Sequence, residues 1–413
     1  MVFNVNERPP LRQLILFAIQ MMLSVFVATV LIGNICGVDT GAVLVGAGLA
    51  TLINILVTRG GSPMFMSSSG AFVAPVLLAL SVAGYTGVFV GCLTSCIVYC
   101  IFGMIFSRVD VDKIYKVFPR ALIGSVTAVI GINLMPFILT YVQINNTTHM
   151  WGIVIAFITM FSIAMISWYA KGICRILPFL LGTLIGYGMA VVLTVTGIYP
   201  IVDFSIFENL TLFRMPVFAF TQFGETPIAI LAPVVFAFIA YTISAMMEIL
   251  SDNSALGGII GKDLYREPGL ARIFYGVGLG NFVNGMVGAL GICSYGEGVA
   301  CVGFSKVASV WVTGLAAIML IMLGFIAPVQ AFIASIPSCV FAGAALILYG
   351  FIATSGIKML QSVDLNNQKN LVIVSSTLGA GISGLVVGGE VFSLTATALA
   401  LVIGVILNFV LKE

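Results

Sequence analysis

The chain has 413 residues, of which 61% are hydrophobic and only 8% charged, with a formal net charge of +2 at pH 7. A soluble domain carries about 25% charged residues, so seventeen basic and fifteen acidic side chains cannot coat this chain in water. A cytosolic enzyme, a nucleic-acid binder and a disordered chain are excluded, and the near-neutral balance implies no polyanionic partner.

The apolar stretches run to roughly twenty residues, the length of a spanning helix, without the alternation of a β-barrel strand. In chain order they fall at 12–33, 41–58, 62–80, 84–106, 117–139, 150–170, 175–198, 226–250, 267–292, 293–306, 307–327, 333–354, 370–387 and 391–411. An all-α polytopic membrane protein with fourteen spans is therefore predicted, with no room for a separate soluble domain. The polar start Asn4–Arg8 and the long first apolar run argue against a cleavable signal peptide.

The positive-inside rule tests this count. With the N-terminus cytoplasmic, sixteen of the seventeen Lys and Arg fall in even-numbered loops, their flanking helix ends and the two tails; Arg214 alone lies on the other side. Adding or removing one span in the middle would scramble the segregation. Both termini are accordingly placed in the cytoplasm, in a multi-pass protein of the plasma membrane (the inner membrane of a bacterium).

Fourteen divides as seven plus seven, and an odd number of spans per half inverts the second half relative to the first, as in many secondary transporters. The predicted division is a first repeat at 1–198, an external connector at 199–225 and a second repeat at 226–413. The third segment of each half is short and broken by small residues: Met66-Ser67-Ser68-Ser69-Gly70-Ala71 and Gly291-Ile292-Cys293-Ser294-Tyr295-Gly296-Glu297-Gly298. Backbone freed from a helix must line a cavity, because lipid cannot satisfy it. Each broken stretch is expected to lead into a half-helix whose positive N-terminus points to the midplane.

Three acids have no obvious loop to occupy. Glu248 follows an apolar run, Asp252 lies four residues on and hence on the same helical face, and Glu297 sits on the second broken segment. Asp252 has a second reading, as the mark of the cytoplasmic helix end. A carboxylate inside a membrane costs about 2.5–3.5 kcal/mol on insertion scales, so such residues default to function. With no intramembrane Lys or Arg to pair with them, they suit a site that holds and releases a proton. Carboxylates accept from ring N–H groups, and freed backbone N–H groups donate to ring carbonyls, so the ligand read from the residues is small, planar and mostly neutral. Cys92, Cys96 and Cys100 share one helical face but have no His or carboxylate beside them, and read as packing residues rather than a metal stripe. The single histidine, His149, lies in a polar loop and supports neither a metal site nor His-based catalysis. Asn145, Asn146 and Asn209 begin glycosylation-type triplets to which no role is assigned, and 201–214 is expected to form a short interfacial helix.

The chain resembles the nucleobase–ascorbate transporter (nucleobase:cation symporter-2) family, in particular its bacterial uracil–proton symporter branch. The likeness runs through Glu7-Arg8-Pro9-Pro10, then Ser68-Ser69-Gly70-Ala71-Phe72 with Pro75, and Glu248 followed by Lys262-Asp263-Leu264 and Glu267-Pro268-Gly269-Leu270. It continues with Tyr295-Gly296-Glu297, Leu348-Tyr349-Gly350, Ser355-Gly356-Ile357 and Asn370-Leu371. The resemblance implies a core domain from segments 1–4 and 8–11 (about 12–106 and 226–327) and a gate domain from segments 5–7 and 12–14 (about 117–198 and 333–411). It further implies that the two broken segments pair as short antiparallel strands, and that the protein is a homodimer embedded in lipid.

By the same resemblance, Glu248 and Glu297 hold the base, and backbone around Gly70 and Gly296, with Ser69, Ala71 and Tyr295, reads its carbonyls. Ala28 lines the pocket and Tyr349 is a gate-side contact. Glu297, Glu248 or Asp252 is the proton-linked group, with H⁺ rather than Na⁺ as coupling ion and no cofactor or metal. Some residues depart from the branch. Gln20-Met21 stands where Gln-His is usual, Asp252 has a spacing seen in the xanthine branch, and Gly70 replaces an aromatic. Glu297-Gly298-Val299-Ala300 also departs from the usual tenth-segment signature. The expectation is thus proton-coupled uptake of a nucleobase or related heterocycle, a uracil-like pyrimidine or a purine such as xanthine. The alternative is an anion transporter or channel of the related seven-plus-seven fold. An enzyme is not expected, since no nucleophile–base constellation is seen.

Overall fold

The computed structural model describes all residues except 139–141, 145, 146, 149, 172, 173, 175–177, 209, 210, 225, 226, 386, 389–392, 395, 412 and 413. His149, Asn145, Asn146 and Asn209, and the basic residues Arg175 and Lys412, lie outside the described residues.

The first half opens with α1 (Leu11–Cys36), stopped by Gly37 in the left-handed region (φ 66°), and α2 (Thr40–Val57), capped by Asp39, which accepts from Ala42 N–H at 2.9 Å. Strand β1 (Met66–Ser68) and a 3₁₀ turn (Gly70–Phe72) lead into α3 (Val73–Arg108). The third predicted span is thus helical only in its second part. It joins the fourth through a break at Ala83–Gly84, where Gly84 takes φ 55°, ψ −142°, a conformation that suits only glycine. A short linker helix α4 (Val111–Val117) precedes α5 (Arg120–Leu134), a two-residue-per-strand hairpin (β2 Gln143–Ile144, β3 Thr147–Thr148), α6 (Met150–Tyr169) and α7 (Pro178–Val195). The connector is mostly irregular. In place of the helix expected over 201–214 its described residues have a 3₁₀ turn at Ser205–Phe207, and a second follows at Ala219–Thr221.

The second half begins with α8 (Ile228–Ile260), which ends at Gly261 (φ 72°) rather than near 250. Asp252 is therefore inside the helix, and its reading as a helix-end residue is corrected. Then follow α9 (Leu270–Val287), β4 (Ile292–Ser294), the ten-residue half-helix α10 (Gly296–Ser305) and α11 (Val310–Gly324). The chain closes with α12 (Ala327–Ser335), α13 (Ser338–Leu360), α14 (Gln368–Ile382), a second small hairpin (β5 Val387–Gly388, β6 Ser393–Leu394) and α15 (Ala396–Val410). Among the described residues, seven helices are long and apolar enough to cross a membrane on their own. Exposed Ile97, Ile101, Phe157, Phe161, Met165, Phe351 and Ile406 form the apolar outer surface that lipid requires.

Loop contacts sort into two faces. On one, the N-terminal residues pair with the 306–310 loop (Val2 N–H to Lys306 O, 2.8 Å; Val310 N–H to Val5 O, 2.9 Å). On that face Thr313 bonds Pro63 O, Arg266 pairs with Asp112 at 2.7 Å, and Asn408 near the C-terminus bonds Lys116 O. On the other, the connector ties the odd-numbered loops: Arg214 reaches Asp39 (3.8 Å), Arg214 N–H donates to Phe325 O, and Gly224 N–H donates to Thr86. This is the arrangement that the charge segregation predicts. Among the helices, α9 packs on α3 and α2, α2 on α11, and α3 on α8; separately, α13 packs on α5 and α6, and α14 on α5 and α15. The α5–α13 contact is closed by Gly131 and Gly356, where a Cβ would collide with the Ala353 and Ala128 backbone N. Small residues bring helices close where lipid supplies no hydrophobic drive.

Candidate functional site

The two broken segments meet as the predicted antiparallel pair, with register Met66↔Ser294, Ser67↔Cys293 and Ser68↔Ile292. Beyond each strand end one further bond crosses: Ser69 N–H donates to Gly291 O and Tyr295 N–H to Phe65 O, both at 3.0 Å. The pattern maps onto itself about the Ser67–Cys293 pair. The neighbouring helices repeat it. The first residue of β1 is held at N–H and C=O by Thr51 of α2 (3.0 and 2.9 Å), and that of β4 by Asn281 of α9 (3.0 and 3.2 Å). At the second residue, Thr29 of α1 lies 2.8 Å from the Ser67 hydroxyl, and the Cys293 thiol donates to Glu248 Oε2 of α8 at 3.1 Å.

This local two-fold pattern shows how the acids are distributed. Thr29 matches Glu248; four residues on, Gly33 matches Asp252; three residues past each strand, Ala71 matches Glu297. All three acids stand in the second half, on a scaffold whose first half carries neutral residues at the same places.

Each strand end delivers donors to an acid. Ser69 Oγ donates to Glu248 Oε2 (3.0 Å) while accepting from Ala71 N–H (3.2 Å). Ser294 Oγ donates to Asp252 Oδ2 at 2.7 Å. A Cβ added at Gly296 would lie 3.8 Å from Asp252 Oδ1, so Asp252 reaches the head of α10. Glu297 occupies the first turn of that helix, where the dipole favours negative charge. The ion pairs among the described residues lie elsewhere, at Arg214 and Arg266. No described group of three His, Cys, Asp or Glu has the proximity to hold a metal ion.

Ser69, Gly70, Ala71, Ala28 and Tyr295 are buried, Glu248 and Glu297 half-buried, and Gly296 and Ala300 exposed. Ala255 and Gly258 of α8 are also exposed, so accessible positions run along α8 and α10 toward the end of α10 at Lys306. Ala28 adjoins Thr29 at the sheet. Tyr349 is fully buried in α13, and its hydroxyl has no partner among the described residues; it is not hydrogen-bonded to the acids. The supporting residues Thr29, Thr51 and Asn281 have one signal in the sequence, polarity inside apolar runs, while Cys293 stands in the broken tenth segment with no role of its own legible there. The cysteine stripe packs as expected: Cys92 and Cys96 are buried, and a Cβ at Gly278 of α9 would lie 3.2 Å from Cys100 Sγ.

Chemically, the site offers carboxyl oxygens beside the start of α10, where the Gly296 and Glu297 N–H groups precede the first bonds of the helix, Gly298 and Val299 N–H to Tyr295 O. Such an array could accept from N–H donors and donate to carbonyl acceptors.

Residues 12–390 match the model of the Permease family. The chain is 32% identical to a uracil permease of Paenibacillus larvae over 98% of its length and 96% of that protein, and 30% identical to the uracil permease of Escherichia coli K12 over 99% and 94%. Among solved structures, the transmembrane domain of the cyanobacterial bicarbonate transporter BicA superposes with TM-score 0.65 at 15% identity, over 99% of this chain and 100% of that one. The murine Slc26a9 anion transporter in its inward-facing state gives TM-score 0.66 at 10% identity, over 98% and 69%. At these identities the structural likeness concerns the fold, a seven-plus-seven arrangement of spans. With the family model covering nearly the whole chain, the protein belongs to the Permease family, the nucleobase–ascorbate transporter family that its motifs resemble.

Proposed function

We propose that this permease is a proton-coupled importer of a nucleobase or related heterocycle, a uracil-like pyrimidine or a purine such as xanthine. The observation that carries the proposal is the convergence of Glu248, Asp252 and Glu297 at the strand pair without a cationic partner among the described ion pairs. Glu248 and Glu297 accept from ring N–H groups, and N–H groups near Gly70 and Gly296 donate to ring carbonyls. One of the three acids carries the coupled proton. The names of the relatives support the substrate class.

In this reading a core of segments 1–4 and 8–11 moves against a gate of segments 5–7 and 12–14. The accessible positions along α8 and α10 belong to the inward-facing route, and the Lys306 face is cytoplasmic in a bacterial inner membrane. The protein acts as a transporter rather than an enzyme, as a homodimer, with H⁺ as coupling ion. An anion carrier of the same fold is less supported. A helix start is a ready anion site, but here Glu297 places negative charge on it.

The test is thermal stabilisation of purified protein by uracil, thymine, cytosine, xanthine, hypoxanthine and urate. At least one heterocycle is expected to stabilise the wild type and to lose its effect in Glu248→Gln. Stabilisation by bicarbonate or chloride, with none by any heterocycle, would favour the anion reading.

A further inference from the structure

We infer that Cys293 is a positioning residue for Glu248: its thiol and the Ser69 hydroxyl together hold Oε2, so that Oε1 is the oxygen presented to the ligand. The inference deepens the proposed function, since it rests on Glu248 facing the ligand. Two donors from opposite strands converge on the same oxygen, Ser69 at 3.0 Å and Cys293 at 3.1 Å. Both are shut off from water, with Cys293 at 0% and Ser69 at 1% exposure, so water does not stand in for either. Both are also fixed in place, Cys293 by the central register pair and Ser69 by its N–H bond to Gly291 O.

The first half contains a built-in control. At the two-fold-related position, Thr29 and Ser67 make the same helix-to-strand contact between two hydroxyls, with no acid in it. That contact holds α1 to β1. Its counterpart holds α8 to β4 and, in addition, selects a carboxyl oxygen. Asp252 is treated likewise, Ser294 occupying Oδ2 and leaving Oδ1 on the Gly296 side. The strand pair thus sorts the oxygens of both α8 acids into held and free.

The thiol has a competing acceptor, the Ser294 carbonyl, also at 3.1 Å, and its single hydrogen can serve only one at a time. The S–H stretching band separates the two, because it lies in a spectral window free of other protein vibrations. The band belonging to Cys293 is obtained as the difference between wild type and Cys293→Ser in ligand-free protein. Replacing Glu248 by Gln, a weaker acceptor, is expected to move that band to higher wavenumber. A band unmoved by Glu248→Gln and by Glu248→Leu would assign the hydrogen to the Ser294 carbonyl and overturn the inference.

In parallel, Cys293→Ala is expected to weaken heterocycle binding about fivefold, the effect of one lost hydrogen bond, while Cys293→Ser, which keeps a donor, recovers it to within about twofold. Ser95→Ala, which removes the buried Ser95–Thr242 hydroxyl contact between α3 and α8 away from the strand pair, is expected to lower the unfolding temperature with Kd unchanged. If it weakens binding as much as Cys293→Ala does, both contacts are merely structural and the inference falls. Absence of binding by any heterocycle would defeat the proposed substrate class, yet the ligand-free S–H band would still decide whether the thiol is on Glu248.

Discussion

Ser294 and Asp252 make the shortest side-chain contact of the site, 2.7 Å, in a place where Asp252 is only 8% exposed. A buried acceptor that loses its donor costs about 1–3 kcal/mol, so Ser294→Ala is expected to lower the unfolding temperature and Ser294→Thr to restore it. Asn281 supports the same strand more fully, satisfying both N–H and C=O of Ile292. Asn281→Leu strands two backbone groups, and a cost of about 2–4 kcal/mol follows. Urea denaturation of the purified protein, comparing the two variants, checks the order: Asn281→Leu is expected to be the more damaging. The reverse order would mean that Asp252, rather than the strand backbone, is the group most dependent on its partner.

At the scale of elements, a two-stranded ladder of three residues per strand is marginal by itself; here four helices supply what it lacks. The breaks that make room for it were legible in the sequence, because Ser, Gly and other small residues interrupt two apolar runs at matching places, 66–71 and 291–298. The contacts that turn the breaks into a site were not. Ser69 meets Glu248 across 179 residues and Cys293 meets it across 45, separations that carry no local period. The extra turns of α8 past Ser251 were missed because Asp252, Asn253 and Ser254 look like a helix end. In the fold Asp252 accepts from Ser294, and the Asn253 amide N–H donates to the Ile249 carbonyl.

The linker helix α4 adds a case in which burial decides between two contacts. Its first turn pairs with Arg266 through exposed Asp112, while its last carbonyls accept from Asn408, which is 8% exposed. Exposed ion pairs contribute about 0–1 kcal/mol. Asp112→Ala is accordingly expected to change thermal stability little, and Asn408→Leu to lower it by about 1–2 kcal/mol. Equal effects would contradict the ranking by burial.

For the whole molecule, the basic residues and the loop contacts divide it in the same way, into one face with both ends of the chain and another with the connector. Cys174 is exposed while the other seven cysteines are buried or half-buried, which makes it a reporter for the first face. An impermeant maleimide is expected to label it only after cells are opened, whereas Glu208→Cys in a Cys174→Ser background is labelled from outside. Labelling of Cys174 in intact cells would invert the proposed orientation.

The central claim is that acids confined to one half of a locally two-fold scaffold couple a proton to heterocycle movement. Uptake of the heterocycle identified by thermal shift, into proteoliposomes under an imposed proton gradient, tests it most directly. Wild-type protein should accumulate the ligand and lose accumulation when the gradient is collapsed. Glu297→Gln should fail to accumulate it even with the gradient present. Accumulation that ignores the gradient and persists at the wild-type rate in Glu297→Gln would contradict the account.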